Sequence, residues 1–595
     1  MLPAETDRAG LAKRLALLWA VLVVITVAVA MERVVGLHLR GDDALRLVQV
    51  RDLVGGQGWY DLHQYRIAPP EGTLMHWSRL VDAPIAAIVL LFAPLVGQAT
   101  AEIIALIAIP LLGLGLLVAC VGWAANRLFG ERVAGFAALS IGLLSPVLFQ
   151  LQPMRIDHHG WQLVAFAFAV ASLVVKDRVR GAWIAGVALG TGMTISLEML
   201  PLAAAFGAVF AFRWLRDAKE GGTELVGFLH ALAVTLMVLF FVALGPDAMT
   251  TYCDAIGPAH LALFATVALG TSVFARKTHL RPLAIVAGLG AVGAAGIAAF
   301  GFLEPDCLRT PFGALDPLVR DYWYTMIAEG RPAWDQTAAQ AVPPVAQVLL
   351  ALAATAALAR CSRGPWRAFW FDYLLLLGAS ALLGVLVWRS IAFAGVMAAI
   401  PLGWLVARAL DGIPKMRQPL AKAAAMAALV LALMPSIVFM AGDAIAPAQA
   451  NDGALMAATA SDDPVSVVDT DCLDRPTLDR LAALEPGTVF APFDIGPAIL
   501  LHTDHALVAT GHHRAEAAMA DTIAGFLAKP DVARAYVAKR GGDYVALCTD
   551  VADARMYAHA EPEGLAAALM AGEAPSWLAP VAGFTDGPLR VWRVR

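Results

Sequence analysis

EIIALIAIPLLGLGLLVACVGWA, residues 102–124, holds one charge, Glu102 at its first position. A helix of this length outreaches the roughly 30 Å hydrocarbon core of a bilayer. Its apolar surface has no polar stripe, so it reads as a membrane span and not as an amphipathic surface helix. Arg127, Glu131 and Arg132 follow it and mark the return to water. Comparable runs lie at 15–30, 133–151, 160–175, 181–195, 199–213, 225–245, 259–275, 282–303, 344–360, 368–386, 390–408 and 423–441. Together they predict about thirteen spans, each near the length a bilayer needs. The first follows Arg8, Lys13 and Arg14 and ends in Ala28-Val29-Ala30; in so span-rich a chain it reads as an uncleaved first helix and not as a signal peptide. The run 84–97 contains Pro94 and is short for a span, which suits an interfacial or re-entrant piece.

Over all 595 residues, 59% are hydrophobic and 15% charged, with a mean hydropathy of +0.69. Soluble domains hold about 45–50% apolar and about 25% charged residues, so a wholly soluble protein is excluded. The net charge of −5 supplies no basic field for nucleic acid; membrane lipids are the expected surroundings. The basic residues sort by topology instead. With the N-terminus inside, Arg127, Arg132, Lys176, Arg178, Arg180, Arg213, Arg216, Lys219, Arg276, Lys277, Arg281, Arg360, Arg363, Arg367, Arg408, Lys415, Arg417 and Lys422 fall in inner segments. Only Arg155 and Arg389 fall in the short outer loops. Counting 84–97 as a span would reverse that arrangement against the positive-inside rule. The expected organisation is a transmembrane domain at 1–441, with long outer loops at 31–83 and 304–343, and a periplasmic α/β domain at 442–595. The expected location is a bacterial inner membrane, with the N-terminus cytoplasmic.

The tail alternates strand-like runs (465–468, 489–493, 506–509, 544–547, 589–594) with helical stretches (473–484, 514–528, 531–540), the pattern of an α/β domain. Cys472 and Cys548 both lie in it, where an oxidising compartment would let them pair. Cys120, Cys253, Cys307 and Cys361 sit in or beside spans. The tail's His502, His505, His512 and His513 fit no standard zinc spacing.

Polar chemistry gathers on the outer side. Loop 31–83 holds Gly41-Asp42-Asp43-Ala44 and His76-Trp77-Ser78-Arg79, and the short loop 152–160 holds Arg155, Asp157, His158 and His159. Loop 304–343 holds Asp316, Arg320, Asp321, Glu329 and Arg331, and Arg389 follows between two spans. Carboxylates from three such loops can hold a hard divalent cation through oxygen, leaving positions for a phosphate, and a guanidinium would clamp that phosphate. Plainer roles exist for each: paired aspartates cap helices, Asp-His-His can be a hydrogen-bonding cluster, and a loop Glu can be merely solvated. Glu198, at the apex between two spans, reads better as a hairpin cap, and His260 as an interfacial residue.

Taken together, these motifs resemble the catalytic subunit of oligosaccharyltransferase, a GT-C glycosyltransferase, whose archaeal members have a similar Asp-His-His. The stretch Pro492-Phe493-Asp494-Ile495-Gly496, with Leu501-His502-Thr503-Asp504-His505 and Gly511-His512-His513-Arg514 beyond it, is similar to the surroundings of that family's Trp-Trp-Asp-Tyr-Gly motif. The resemblance implies a polytopic GT-C fold and an inverting transfer from a polyprenyl-phosphate or polyprenyl-diphosphate sugar donor. It implies a Mg2+ or Mn2+ ion held by Asp43, Asp157 and Glu329, with His159 joining and Asp42 a close alternative to Asp43. Asp43, Asp157 and Glu329 are the expected catalytic residues. Arg389, His158 and Arg79 are expected at the donor phosphate, and Phe493, Asp494 and Gly496 at the acceptor. Both motif tryptophans are replaced here, by Pro492 and Phe493, which points the acceptor toward a glycan or a lipid and away from a sequon peptide. A peptide oligosaccharyltransferase, with a protein acceptor, is one alternative and a lipid or polysaccharide transporter another. Within the spans only Glu102, Glu198 and Asp372 are acidic, whereas a transporter places ionisable groups at mid-membrane.

Overall fold

The computed structural model describes residues 8–36, 39, 41–217, 221–245, 249–250, 252–277, 280–309, 315–438 and 471–595. Among these, ten helices are long and apolar enough to cross a membrane. Nine match expected spans: Ala9–Val29, Gln98–Phe129, Leu197–Arg216, Gly222–Leu244, Pro258–Ala275, Pro282–Leu303, Ala338–Cys361, Pro365–Leu386 and Trp388–Lys415. The runs at 133–151, 160–175 and 181–195 are instead the helices Glu131–Ile141, His159–Ser172 and Arg178–Ile195, which fall below that standard. The first of them stops at Gly142, against Leu22, and a separate turn Ser145–Phe149 begins at Pro146, because proline belongs at a helix start and not its interior. The last run begins as Pro419–Leu433. Its end at 441, the boundary between 441 and 442, Lys219 and the expected strand 465–468 lie outside the described residues.

The tenth helix is Arg79–Val96, continuous through Pro84 and Pro94. Its length and composition suit a span, yet both ends lie on the side of the soluble domain. At its start, Arg79 donates to the carbonyls of Gln49, Trp59 and Asp61 in the first outer loop. At its end, Gly97 turns at φ +83°, a conformation open mainly to glycine, into Gln98–Phe129. That next helix has 32 residues and is about 48 Å long, longer than the bilayer core. Its first turns stand in polar company: Gln98 donates to Glu102, and Arg51 bridges Glu102 to the carbonyl of Leu501 in the soluble domain. Arg79–Val96 thus begins and ends beside residues that contact the soluble domain, and it is an 18-residue helix, longer than the 84–97 run read from sequence.

Small residues set the helix contacts inside the bundle, as expected where lipid offers no hydrophobic drive between helices. A Cβ on Gly186 would run into the Phe228 carbonyl and Ala231 on the helix Gly221–Leu244. Gly186→Val should therefore cost about 1–3 kcal/mol of stability through overpacking, visible as a lower midpoint of thermal unfolding in detergent.

The first outer loop holds a short antiparallel pair, β1 (His63–Gln64) and β2 (Thr73–Leu74), and the soluble domain is a mixed sheet of β3 (Thr488–Phe490), β4 (Ala506–Leu507), β5 (Tyr544–Cys548), β6 (Leu578–Pro580) and β7 (Leu589–Val594), in the order β4-β3-β5-β7-β6. β3 runs parallel to β4 and β5, while β7 is antiparallel to β5 and β6. Helices Arg475–Ala482, Glu516–Leu527 and Pro530–Lys539 occupy the expected stretches, and Gly496–His502, Ala552–Ala560 and Leu565–Met570 add to them. Strand β6, with its proline, gave no strand signal of its own. Cys472 pairs with Cys548, and Cys253 pairs with Cys307 between two outer loops.

The first outer loop docks on this domain. Leu507 donates to the Arg66 carbonyl at 2.8 Å, and the Ala68 amide donates back to Leu507 at 2.9 Å, covering the sheet edge that β4 would leave open. Leu45, Val48, Trp77 and Ile85 share one apolar core with Phe493, Ile499 and Leu500. This packing encloses the space above the membrane helices, where the polar loops meet.

Candidate active site

A cavity of about 1930 Å³ lies between the membrane helices, the outer loops and the soluble domain. Asp42, His158, His159, Glu198, Glu329 and Arg389 all line it.

Asp42 and Asp43 open the helix Gly41–Val54, and the two carboxylates point to different places. Asp43 is fully buried: Oδ1 accepts from the amides of Ile156 and Asp157, both at 2.9 Å, and Oδ2 from Arg155 Nη1 at 3.1 Å. It splints the loop that carries Asp157. Asp43, expected as a metal ligand, has both oxygens engaged by backbone and Arg155 donors in this structure. Asp42 opens onto the cavity instead. Exclusion of water there, followed by the charges of Asp157, Glu329 and Asp43, pushes its carboxyl up to about 7. Successive helix residues are about 100° apart, and that rotation separates the two roles.

Asp157 sits on the loop held by Asp43 and by the Met154 amide bonding to the Leu106 carbonyl at 2.9 Å. Its Oδ1 accepts from the His158 amide at 2.6 Å, and its Oδ2 lies 3.3 Å from His159 Nε2. Burial resists ionisation of Asp157, but His158, His159 and Arg155 outweigh it and hold the carboxyl well below the usual range. The side chains of Asp157, His158 and His159 bring one ligand atom each within 4.8 Å of one another. On the far side of the His159 ring, Nδ1 meets Gln162 Oε1 at 2.9 Å and Glu198 at 3.6 Å. That partner fixes the ring with Nε2 toward Asp157, as the outer partners of metal-binding histidines do.

Glu329 lies in the turn Ala328–Gly330 and Arg389 in the turn Trp388–Ser390, which the Trp388 amide ties together through the Arg331 carbonyl at 2.9 Å. Arg389 bonds Glu329 at 3.4 Å and pairs with Glu198 on its other side. Burial opposes the charge on Glu329, and Arg389, His159 and Arg155 more than offset it. Glu198 therefore belongs to the cavity wall, not only to the hairpin turn that Ser196 caps. An apex glutamate looks like a cap in sequence, and nothing local to it announced Arg389.

Arg79, expected at the donor phosphate, is fully buried away from the cavity. Arg46 Nη1, Gln49 and Arg79 all donate to Asp82, at 2.9, 2.6 and 3.1 Å. This corrects Arg79 to a structural role; its partner Asp82 stands three residues on, a helix neighbour. The unpredicted Arg46 lies over the Trp77 ring and reaches to 4.0 Å from Asp157 Oδ1.

On the soluble side, Phe493 and Asp494 line the cavity from the turn Phe493–Ile495. Gly496 packs inward instead: a Cβ there would meet Leu507 Cδ1 at 2.9 Å and Thr510 Cγ2 at 3.2 Å. Its expected acceptor contact is corrected to close packing. The Asp494 amide donates to Asp553 Oδ2 at 2.9 Å, a buried carboxylate raised well above its ordinary value by burial and then by Asp494. A raised folded value makes this acid a stabiliser of neither state below pH about 4 and a cost above it, since the unfolded chain then ionises first. Stability should fall as pH rises from about 4, and Asp553→Asn should flatten that decline in melting curves recorded across pH.

No family model and no curated protein matches the sequence. Solved structures do. Archaeal oligosaccharyltransferase AglB from Archaeoglobus fulgidus, in complex with an inhibitory peptide and a dolichol-phosphate, aligns over 95% of this chain and 72% of its own, with 14% identity and a TM-score of 0.63. The Archaeoglobus fulgidus oligosaccharyltransferase tethered to an acceptor peptide containing the NVT sequon aligns over 97% and 74%, with 14% identity and a TM-score of 0.61. Its complex with Zn and sulfate aligns over 96% and 72%, at 13% identity and a TM-score of 0.57. The polytopic body, the shared outer-loop core and the C-terminal sheet thus have one architecture: the chain shares the overall fold of the Archaeoglobus fulgidus oligosaccharyltransferase.

Proposed function

We propose that the protein transfers a sugar or glycan from a polyprenyl-phosphate or polyprenyl-diphosphate carrier to a glycan or lipid acceptor, at the outer face of a bacterial inner membrane. The observation that carries this reading is that Asp42, His159, Glu329 and Arg389 line one cavity, with Asp157 Oδ2 3.3 Å from the His159 ring and Arg389 3.4 Å from Glu329. The Asp42 carboxyl is raised first by burial and then by the charges of Asp157, Glu329 and Asp43, and a divalent cation would relieve the part that comes from those like charges. Asp157 and His159, whose ligand atoms lie within 4.8 Å of each other, would hold a Mg2+ or Mn2+ ion together with Asp42 and Glu329 from the cavity wall. When bound, the ion would supply neutralisation of charge developing on the departing phosphate.

The chain's own residues do the rest. Arg389, a planar donor fork between Glu198 and Glu329, is preoriented for phosphate oxygens. His158 lies on the same wall. Asp494 and Phe493 face the cavity from the soluble domain, where an acceptor enters. A direct displacement of the carrier phosphate by the acceptor inverts the anomeric centre. Solved structures of this fold with a dolichol-phosphate and with an acceptor peptide support a lipid-carried donor and a separate acceptor.

The orientation is supported by the Cys253–Cys307 and Cys472–Cys548 pairs, which persist in oxidising compartments, and by the basic inner loops. Transport is disfavoured because the carboxylates near the spans are engaged: Glu102 by Arg51, Glu198 by Arg389, and Asp372 by Arg213 and Arg216. The test is to supply the purified protein with synthetic polyprenyl-linked sugars and three acceptors, a glycolipid, a soluble glycan and a sequon peptide, and to identify products by mass spectrometry. Transfer to the glycolipid or glycan is expected. Transfer to the peptide alone would make it a peptide oligosaccharyltransferase, and movement of the lipid across the bilayer without bond cleavage would make it a transporter.

A further inference from the structure

Away from the carboxylates, three separate segments bring imidazoles and a carboxylate to one point. His76 comes from the first outer loop, Asp254 from the loop before the helix Pro258–Ala275, and His512 and His513 from the soluble domain. His76 Nδ1 lies 2.9 Å from His512 Nε2, and His513 Nε2 lies 2.5 Å from Asp254 Oδ2. His76 Nδ1 is 4.0 Å from the same oxygen, and His76, Asp254 and His513 each offer a ligand atom within 4.8 Å of the others. The three rings surround a common centre, with centroids 4.9, 5.0 and 5.3 Å apart.

We propose that His76, Asp254 and His513 form a second metal site, which takes a zinc ion and fastens the soluble domain to two outer loops of the membrane domain. Zinc at about 2.0–2.1 Å from each nitrogen places tetrahedral ligand atoms about 3.3 Å apart, and the ligand atoms of these three residues lie within 4.8 Å of one another, with 2.5 Å between His513 Nε2 and Asp254 Oδ2. Two imidazole nitrogens and one carboxylate oxygen are a borderline-soft donor set that suits zinc better than magnesium. His512 lies against His76, its Nε2 2.9 Å from His76 Nδ1, and its buried Nδ1 has no partner.

Arg514 donates to Asp254 Oδ1 at 2.9 Å and to Oδ2 at 3.1 Å, orienting the ligand from behind. Trp77 and Trp323 flank His512 and His513. The Cys253–Cys307 bridge fixes the residue before Asp254. No sequence motif announces such a site, because its ligands come from three distant segments of the chain.

The test strips the full-length protein with chelator, returns it to excess Mg2+, adds zinc chloride alone, and counts bound zinc per chain by mass spectrometry after desalting. The zinc environment is then read by X-ray absorption. Expected are one zinc per chain, two or more imidazoles around it, and a higher thermal midpoint with zinc. Asp157→Asn should retain the zinc, and the double variant His76→Gln/His513→Gln should bind it at least tenfold more weakly. No stoichiometric zinc in the unaltered protein, a shell with fewer than two imidazoles, or zinc lost from Asp157→Asn but kept in the double variant would each overturn the proposal. The absorption measurement on the unaltered protein decides the matter even where the double variant fails to fold.

Discussion

Asp157→Asn should lower turnover of a lipid-linked sugar roughly 10³-fold, the scale of losing a principal charge at a metal-assisted site, while the thermal unfolding midpoint in detergent stays within a few degrees. Asparagine preserves the side chain's shape and can still accept from the His158 amide. The Asp157 amide that binds Asp43 belongs to the backbone and is untouched. What disappears is the negative charge between His158 and His159. The neighbouring pair gives the control. Asp42→Asn should likewise lose turnover with stability retained, since Asp42 faces the cavity. Asp43→Asn should reduce stability and turnover together, because Asp43 Oδ2 is paired with buried Arg155. Equal stability in the two single variants would contradict this division of labour.

The largest stability effect is expected at Asp82→Ala. Arg46 and Arg79 both have fully buried side chains, and both donate to this carboxylate. Removing it strands two guanidinium charges in a nonaqueous setting, and breaking a buried pair by deleting one partner costs about 3–5 kcal/mol. Arg79 also holds the carbonyls of Gln49, Trp59 and Asp61, so the first outer loop and its contact with the soluble domain should loosen together. Protease cleavage within 31–83, together with a lower thermal midpoint, measures the loss. The triple change Arg46→Met, Arg79→Met and Asp82→Leu should recover much of the stability, since apolar replacement of a buried ionic cluster is often neutral or better. It should not recover turnover, because Arg46 also faces Asp157.

Much of this arrangement was legible in sequence, for reasons that can be named. Runs such as 102–124 declare themselves by length, and the scarcity of charge let Arg155, Asp157, His158, His159 and Arg389 stand out at the outer rim. Proximity in space was less readable. Glu198 looked like a cap because the residue that recruits it, Arg389, lies 191 positions on (389 minus 198). Asp42 and Asp43 are chemically alike, and only the rotation of one helix decides which faces the cavity. Arg79 looked like a phosphate ligand beside His76 and Trp77, although Asp82 at the next helical turn was its partner. Helix lengths also departed from the runs: Gly142 and Pro146 break 133–151, leaving no single helix across it. Cys253 and Cys307 pair across 54 residues, a bridge that spacing alone does not reveal.

In the proposed reaction, outer-rim carboxylates hold a divalent cation for transfer from a polyprenyl-linked donor. The most direct measurement is release of the polyprenyl phosphate from a synthetic lipid-linked sugar, by the purified protein in zinc-free buffer, before and after treatment with EDTA. Release should stop with EDTA and return on adding Mg2+ or Mn2+ alone, but not in Asp157→Asn. Undiminished release in EDTA, with Asp157→Asn as active as the unaltered protein, would contradict the account.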